Sequence, residues 1–248
     1  MDSSSYILLS QQQTLRRQMD ITANNMANTS TVGFKREQAV FHEYVKRTED
    51  GAVPDANGLS FVLDYRAIHD TSAGAFQPTG NPLDVMIDGP GYLAVELDGG
   101  ETGYTRAGFV KISEAGDLVT SGGQRLLDEE GEAINVPPDL AGQLTIAPDG
   151  SISGPGGGAF GRLAVTVFDD ESGVSPLGGG LFGAEDGRVL AAGETKFRTG
   201  GVEGSNVEPV AETTSMIEIM RSYQSSMRMV ESLNEMRQRA LDRLGRIG

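Results

Sequence analysis

The first 26 residues carry their hydrophobic side chains at the spacing of an amphipathic helix. Two sets of residues seven apart lie along one helical face: Leu8, Leu15 and Thr22, and Gln12, Met19 and Met26. Polar residues occupy two of these positions, so the apolar stripe is weak. The pattern predicts an N-terminal helix that is held mostly by packing against partners.

A second, longer helix is predicted at the other end of the chain. Pro209 stands where a first-turn proline belongs. An a/d alternation then runs through Met216, Met220, Tyr223, Met227, Val230, Asn234, Arg237, Leu241 and Leu244 and stops near Gly245. Such a helix of roughly 36 residues would span about 54 Å, more than a globular core of this size covers. Part of it is therefore expected to meet another chain or the N-terminal helix.

The middle of the chain has the two-residue period of β-strands. The clearest apolar run is Arg162–Phe168, and further runs lie at Leu83–Ile87 and Tyr92–Leu97. Turns that contain glycine separate these runs and suit the hairpins of an antiparallel sandwich or open barrel. Residues 48–60 are predicted to form a loop, and Phe61–His69 a strand that leads into this body.

Glycine and charge divide the chain in the same way. Of the 34 glycines, 29 lie between Gly74 and Gly204, because tight turns use glycine and helices disfavour it. Residues 48–208 carry a net charge of −18, whereas both ends are nearly neutral. We predict an α+β fold in which paired, coiled-coil-like N- and C-terminal long helices flank a central glycine-rich all-β domain. The predicted divisions are an N-terminal helix and turn over 1–35, a connecting segment over 36–80, the β domain over 81–204 and the C-terminal helix over 205–248.

The composition argues against several classes of function. A formal net charge of −15 opposes binding to nucleic acid or to an anionic membrane surface. With no cysteine and only two histidines, the chain lacks the usual residues of thiolate zinc sites and nucleophilic enzymes, so we expect no cofactor, no metal and no enzymatic activity. The sequence also shows neither the regions of a cleaved signal peptide nor an apolar run that approaches the roughly 20 residues of a membrane span.

Two groups of motifs have ordinary structural interpretations. The glycine-containing segments Gly156–Gly161 and Gly89–Ala94 match a dinucleotide-binding sequence pattern. A phosphate site of that kind needs a helix N-terminus after the glycines, but strand-like sequence follows each segment. Acidic residues cluster around Gly131, and a solvated acidic face is their default role. Paired carboxylates would also serve a carbohydrate hydrolase or a calcium-dependent adhesin, and both alternatives stay open at this point.

The segment Asn24–Lys35 is the most unusual in the chain. A helix C-terminus explains one asparagine and Gly33, but three asparagines on adjacent turns exceed that need. Asparagine at packed helical positions costs stability and sets register, which favours an assembly interface where alignment matters.

This segment resembles the NNxANxxTxGFK signature of the bacterial flagellar axial proteins, the rod and hook subunits. The matching residues are Asn24, Asn25, Ala27, Asn28, Thr31, Gly33, Phe34 and Lys35. Two further blocks are similar to the family's central signatures, Asn81–Val85 and Tyr104–Gly108. A last block, Glu203–Val207 followed by Arg221 and Tyr223, is similar to its C-terminal signature. After the positions of Arg221 and Tyr223 the family often continues with Glu and Asn, whereas this chain has Gln224 and Ser226 there.

The resemblance implies a mechanical function. Terminal helices of such subunits are expected to pack with neighbours into a helical tube, with the acidic β domain as an outer layer, and to be frayed in an isolated monomer. The length implies a rod subunit with a central β domain, whose partners are other rod subunits, copies of itself and the flagellar type III export apparatus. The predicted assembly interface comprises Leu8, Leu15, Met19, Asn24, Asn25, Met26, Ala27, Asn28, Gly33, Phe34, Met216, Met220, Tyr223, Met227, Val230, Leu241 and Leu244.

Overall fold

The computed structural model describes residues 3–46, 59–140, 142–169 and 173–244, without the side chains of residues 3–5, 41–46, 59–67, 240, 241 and 244. The chain divides into two units. The helix-bearing unit consists of Met1–Ala27, Glu37–Ile68 and Glu208–Gly248, and the β-rich unit of Asn28–Arg36 and His69–Val207. The segment 28–36, which follows the first helix, thus belongs with the β-rich unit.

Both predicted helices are confirmed. Helix α1 spans Ser3–Ala27 and helix α2 spans the 36 residues Pro209–Leu244, with its proline at the first helical position. Hydrogen bonds join the two helices near the middle and near the C-terminal end of α1. Gln12 Nε2 donates to Met227 Sδ at 3.3 Å, and Asn25 Nδ2 donates to Glu212 Oε2 at 3.4 Å. Because the later residue of α1 meets the earlier residue of α2, the helices run antiparallel.

The inward face of α1 follows the predicted pattern. All six residues of the two heptad sets are buried or half-buried: Leu8, Gln12, Leu15, Met19, Thr22 and Met26. The two columns of the a/d pattern predicted for α2 differ in burial within the chain. The helix turns inward Met216, Ile219, Tyr223, Ser226, Val230, Leu233 and Arg237, while Met220, Met227 and Asn234 are exposed. The column of Met216 and Tyr223 was predicted and is inward. The second inward column contains the branched side chains Ile219 and Leu233, which the a/d pattern did not include, and it lies on the other side of Met216 and Tyr223 from Met220 and Met227.

The strands of the structure are short and are mostly separated by turns. In chain order they are β1 (Glu37–Lys46), β2 (Leu59–His69), β3 (Phe76–Pro78), β4 (Val85–Ile87), β5 (Tyr92–Glu96), β6 (Thr102–Thr105), β7 (Val110–Ile112), β8 (Leu118–Thr120), β9 (Arg125–Leu126), β10 (Thr145–Ile146), β11 (Ser151–Ser153), β12 (Ala159–Arg162), β13 (Val165–Val167), β14 (Ser175–Gly178), β15 (Leu181–Gly183), β16 (Arg188–Val189), β17 (Phe197–Thr199) and β18 (Gly201–Glu203), with a 3-10 turn at Pro138–Leu140. The predicted strand over 61–69 is confirmed within β2, whereas the predicted loop over 48–60 lies outside the described residues except for its last two.

Five sheets organise these strands. The largest has the order β14-β15-β6-β5-β9-β8-β7, with β13 pairing both β5 and β16. The others are β10-β11-β12, β17-β4, β18-β3 and β1-β2. The pairings β5–β6, β5–β9 and β5–β13 are antiparallel, so β5 is the strand on which the largest sheet is built.

The run Arg162–Phe168, predicted as one strand, is two. Strand β12 ends at Arg162 and pairs β11, and β13 begins at Val165 and pairs β5 in another sheet. Between them Leu163 donates its N–H to Gly150 and Ala164 donates to Leu127, so the chain changes sheets at these two residues. Both are 1% exposed, which explains why the run is apolar throughout.

One core holds the β-rich unit together. Its most deeply buried members are Val95, Leu118, Val136, Ile152 and Val165, all at 0% exposure. They come from several of the sheets and from the segments between them. The predicted runs Leu83–Ile87 and Tyr92–Leu97 also contribute residues to this core. A second cluster contains several of the few aromatic residues, and in it the Tyr92 ring contacts Phe182 and Phe168 at centroid distances of 5.4 and 5.9 Å.

A buried hydroxyl in α2 leads to a test of helix packing. Ser226 is 3% exposed, and its Oγ has no hydrogen-bond partner among the described residues. Replacing it by alanine removes an unpaired polar group, so Ser226→Ala is expected to raise the unfolding free energy of the helix-bearing unit by about 1 kcal/mol. Exposed Ser225→Ala controls for the higher helix propensity of alanine. Equal effects of both variants in denaturant titrations followed by helical circular dichroism would contradict this prediction.

Candidate functional site

The carboxylate of Glu203 is the centre of a buried polar cluster in the β-rich unit. The residue is 1% exposed. Its Oε1 accepts hydrogen bonds from Lys35 Nζ at 2.7 Å and from the Gly74 N–H at 2.8 Å. Its Oε2 accepts one from Arg106 Nε at 2.8 Å. Glu203, Lys35 and Arg106 are called the Glu203 cluster below.

The two cations of the Glu203 cluster use their remaining donors on backbone carbonyls. Lys35 Nζ donates to the Ser72 carbonyl at 2.7 Å. The Arg106 guanidinium donates to the carbonyls of Gly91 and Gly89, the latter at 2.7 Å. Lys35 and Arg106 are 2% and 4% exposed, so these bonds replace the water that both charges lose on burial. Burial lowers the pKa of Lys35, repulsion from Arg106 lowers it further, and Glu203 opposes both effects.

Gly33 brings the turn after α1 against this cluster. Its N–H donates to the Glu203 carbonyl at 2.8 Å. Its φ is +70°, a left-handed conformation that favours glycine. A Cβ on Gly33 would lie 2.5 Å from the backbone carbon of Arg106, closer than real Cβ contacts allow. Only a residue without a side chain therefore fits between the turn and the backbone of Arg106.

Asn206 joins three segments that lie outside the β-ladders. Its Oδ1 accepts a hydrogen bond from the Arg36 N–H at 2.7 Å. Its Nδ2 donates to the Asp70 carbonyl at 2.8 Å and to the Ser72 carbonyl at 3.1 Å. The Asp70 N–H in turn donates to the Arg36 carbonyl at 2.8 Å. We call Asn206 with Arg36, Asp70 and Ser72 the Asn206 clamp.

The Asn81–Val85 block packs beside the same region. The Asp84 carboxylate, in a residue that is 3% exposed, accepts hydrogen bonds from Thr79 Oγ1 at 2.6 Å and Asn81 Nδ2 at 2.8 Å. The next residue, Val85, donates its N–H to the Gly108 carbonyl at 3.0 Å. The Val85 carbonyl approaches Gly108 so closely that no Cβ fits there. The two central blocks thus meet through Val85 and Gly108.

A separate polar contact lies in the helix-bearing unit. Asn25, 1% exposed, accepts a hydrogen bond from the Glu37 N–H and donates one to the Glu37 carbonyl, both at 2.9 Å. Its amide thus pairs with the first residue of β1 as a neighbouring backbone would. The same Nδ2 reaches the Glu212 carboxylate, which is 1% exposed in the first turn of α2. A carboxylate there is favoured by the helix dipole.

Three family models match the chain. The model described as "Flagella basal body rod protein" matches residues 6–35. The model described as "Flagellar hook protein FlgE/F/G D1 domain" matches residues 86–154, and "Flagellar basal body rod FlgEFG protein C-terminal" matches residues 198–243.

Full-length relatives agree with these matches. The flagellar basal-body rod protein FlgF of Caulobacter vibrioides is 37% identical over 251 residues, which cover 100% of both chains. FlgF of Salmonella typhimurium is 32% identical and covers 97% of each chain. The rod protein FlgG of Bacillus subtilis is 31% identical, covering 95% of this chain and 96% of its own. The chain belongs to the flagellar basal-body rod protein family.

Each charge of the Glu203 cluster comes from a different matched region of this rod family. Lys35 ends the first region, Arg106 lies in the second and Glu203 in the third. Sequence reasoning placed all three in signature blocks but did not expect them to meet. The signal that could have found them is the single charge within each of these signature blocks, because a charge is buried only when it is paired.

The predicted interface residues divide by exposure. Asn25 and Gly33 are buried, and their described contacts lie within the chain. Leu8, Leu15, Met19, Met26, Asn28, Phe34, Met216, Tyr223 and Val230 are half-buried, whereas Asn24, Ala27, Met220 and Met227 are exposed. The side chains of Leu241 and Leu244 lie outside the described ones. Contacts of these residues with another subunit stay a prediction.

The two alternatives drawn from the acidic residues gain no support. A glycosidase needs a general acid with a raised pKa. Asp70 and Asp149 instead have a lowered pKa, because Ser72 and Ser151 donate hydrogen bonds to their carboxylates. In the described ranges, no three histidine, aspartate or glutamate side chains come together as metal ligands. No described helix combines the length and apolar character needed to cross a membrane.

The position of Gly33 can be tested by adding one methyl group. Gly33→Ala combines a left-handed φ with a clash against backbone that cannot swing away, so we expect an unfolding free energy lower by about 3 kcal/mol. Gly131→Ala is the matched control, since Gly131 has a φ of +82° but nothing within 4 Å of its Cβ position. The control isolates the conformational cost, about 1 kcal/mol. Similar losses for both variants in urea titrations would show that the approach to Arg106 is unimportant.

The lowered pKa of Lys35 predicts a specific pH dependence. Between that pKa and the ordinary value of 10.5, the unfolded chain binds a proton that the folded chain releases. Stability from this group therefore rises with pH over that window. The unfolding free energy of the unaltered chain, relative to Lys35→Met, should increase as the pH approaches 10.5. Lys111→Met, at an exposed position, controls for removal of a lysine charge. A difference that is flat with pH, or that falls, would contradict the prediction.

Proposed function

We propose that this chain is a proximal rod subunit of the flagellar basal body, of the FlgF type, which helps to carry torque from the motor toward the hook. Helices α1 and α2 of each copy pair in a coiled-coil-like manner and pack against helices of neighbouring rod subunits. The acidic β-rich unit belongs to the outer layer of the resulting tube. The role is structural, with no catalytic step and no cofactor.

The observation that carries this proposal is the apolar surface that α2 leaves open. Val210 is 80% exposed, and Ile217, Met220, Met229 and Met236 are 45% to 55% exposed. These residues lie outside the inward column of α2, so the chain's own fold does not cover them. Burying them against other subunits would contribute about 25 cal/mol per Å² of apolar area. Methionine suits such a surface because its flexible side chain adapts to non-identical neighbours.

The type of rod subunit rests on the relatives. A FlgF protein matches the chain from end to end at 37% identity. The opening residues, Tyr6–Ser10 and Leu15–Asp20, also look more like FlgF than FlgG. The second candidate is the distal rod protein FlgG, because FlgG proteins match at 30% to 31% identity over most of the chain. Proximal and distal rod subunits are distinguished by their number and place in the rod.

Assembly and export follow from the same proposal. The partners are copies of this chain, other rod subunits and the flagellar type III export apparatus, and the location is the rod where it crosses the periplasm. Export proceeds without a cleaved signal peptide. Because both helices depend on packing, we expect their ends to be frayed before assembly and ordered in the rod.

Counting subunits in purified basal bodies tests the proposal. Quantitative mass spectrometry of this chain against the other axial subunits should give a small copy number for a proximal rod subunit. A several-fold larger number would assign the chain to the distal rod instead. Complete absence from basal bodies would contradict both assignments.

The same measurement tests the open apolar surface. The double variant Ile217→Gln with Met220→Gln keeps helix propensity and size but makes the surface polar, so its copy number should fall at least tenfold. The control is Ser222→Gln with Ser225→Gln, which places two glutamines at the same spacing on exposed polar positions of α2. An equal fall in both variants would show that any pair of glutamines introduced on the exposed face of α2, rather than lost apolar area, prevents incorporation.

A further inference from the structure

Three segments connect the β-rich unit to the rest of the chain, and none of them lies in a β-ladder. They are residues 28–36, which follow α1 and precede β1, residues 70–75, between β2 and β3, and residues 204–207, between β18 and α2. A pulling force on the rest of the chain enters the β-rich unit along these segments, because they are its covalent connections. What holds them to one another therefore decides how that force is shared.

Side chains supply most of that attachment. The side chain of Asn206 binds the backbone of Arg36, Asp70 and Ser72. Because Asn206 itself lies in the third segment, one amide joins all three segments. Behind it, the Glu203 cluster repeats the connection, since Lys35 binds Ser72 and Glu203 while Glu203 binds the Gly74 N–H. Backbone hydrogen bonds in the same place are few: Asp70 to Arg36 at 2.8 Å, Gly204 to Ala75 at 2.8 Å, Gly33 to Glu203 at 2.8 Å and Asn206 to Phe34 at 3.4 Å.

The residues stand in a definite order along the last segment. A force applied at Glu208 reaches Asn206 first and the Glu203 cluster three residues later. Strand β18, of which Glu203 is the last residue, pairs only with the three-residue strand β3 among the described strands. A pairing of that length gives little resistance by itself. Resistance to opening thus depends on the side chains of Asn206 and the Glu203 cluster.

We propose that the Asn206 clamp is the force-bearing joint of the subunit, with Asn206 as its positioning residue. The inference rests on the proposed rod function, because only a subunit under load needs such a joint. Under load, Asn206 keeps the three segments together so that they share the force, and the Glu203 cluster holds them when the clamp opens. Loss of the Asn206 amide leaves the Glu203 cluster and the backbone hydrogen bonds to carry the load, so the first opening should come sooner.

Single-molecule pulling on the full chain tests this proposal. The chain has no cysteine, so two introduced cysteines are unique attachment points for the handles. Glu208→Cys with Asp98→Cys, both at exposed positions, loads the last segment against the β-rich unit. In this geometry Asn206→Ala should shorten the lifetime of the first opening event at constant force about tenfold or more, since the four hydrogen bonds of the Asn206 side chain are lost.

A second pulling geometry separates load bearing from ordinary stability. Asp98→Cys with Glu114→Cys places both handles on exposed sites within the β-rich unit, and the force bypasses the clamp. Here Asn206→Ala should leave the lifetime unchanged. Equal shortening in both geometries would make Asn206 a general stabilising residue, and unchanged lifetimes in both would mean that the clamp carries no load. Either result overturns the proposal.

A variant of the same shape as asparagine tests the donors of the Asn206 amide and covers the case in which alanine disturbs folding. Asn206→Asp keeps an acceptor for the Arg36 N–H but replaces both donors by a carboxylate oxygen that faces the Asp70 and Ser72 carbonyls, so its lifetime should be as short as that of Asn206→Ala or shorter. A lifetime equal to that of the unaltered chain would contradict the role of the donors. These measurements do not depend on where the chain resides. Absence from basal bodies would refute the rod proposal alone, and equal lifetimes would refute the joint alone.

Discussion

The burial of the Glu203 carboxylate is the constraint on which the β-rich unit depends. A carboxylate at 1% exposure is stable only if charged and backbone donors surround it. Those donors come from positions far apart in the sequence, Lys35, Gly74 and Arg106, so satisfying one side chain brings three distant segments together. Gly33 and Gly108 then follow as consequences, because segments drawn so close leave no room for side chains at these points.

Polar groups organise the helix-bearing unit as well. Asn25 pairs with the backbone of Glu37 and reaches Glu212, which aligns α1, β1 and the start of α2 at one place. The inward faces of both helices also include Gln12, Thr22 and Ser226, where a stable two-helix pair would carry apolar side chains. Such a pair gains register from its polar contacts and comparatively little burial energy. That balance agrees with the proposal that the exposed methionines of α2 pack against other subunits.

The sequence predicted the larger elements because their patterns are local. Heptad spacing and Pro209 located both helices, and alternating apolar runs located β4 and β5. Local patterns do not record where a strand changes sheets, so the run at 162–168 was assigned to a single strand. They also do not decide which of two adjacent helix columns is buried within the chain, and in the structure Ile219 and Ser226 are more buried than Met220 and Met227. The hydroxyl of Ser226, a residue that the a/d pattern did not select, is left without a hydrogen-bond partner among the described residues.

The candidate site was the least predictable part for a physical reason. Its interactions join residues up to 168 positions apart, between a lysine, an arginine and a glutamate that periodicity treats as ordinary surface charges. The use of polar contacts there suits a connection that must keep one alignment. Apolar contacts are non-directional and allow neighbouring segments to slide with little change in buried area. A buried amide or carboxylate loses its hydrogen bonds after a shift of about 1 Å, and the unpaired group then costs more than the bond contributed. Segments held in this way resist displacement sharply, whereas an apolar contact of equal stability would yield gradually.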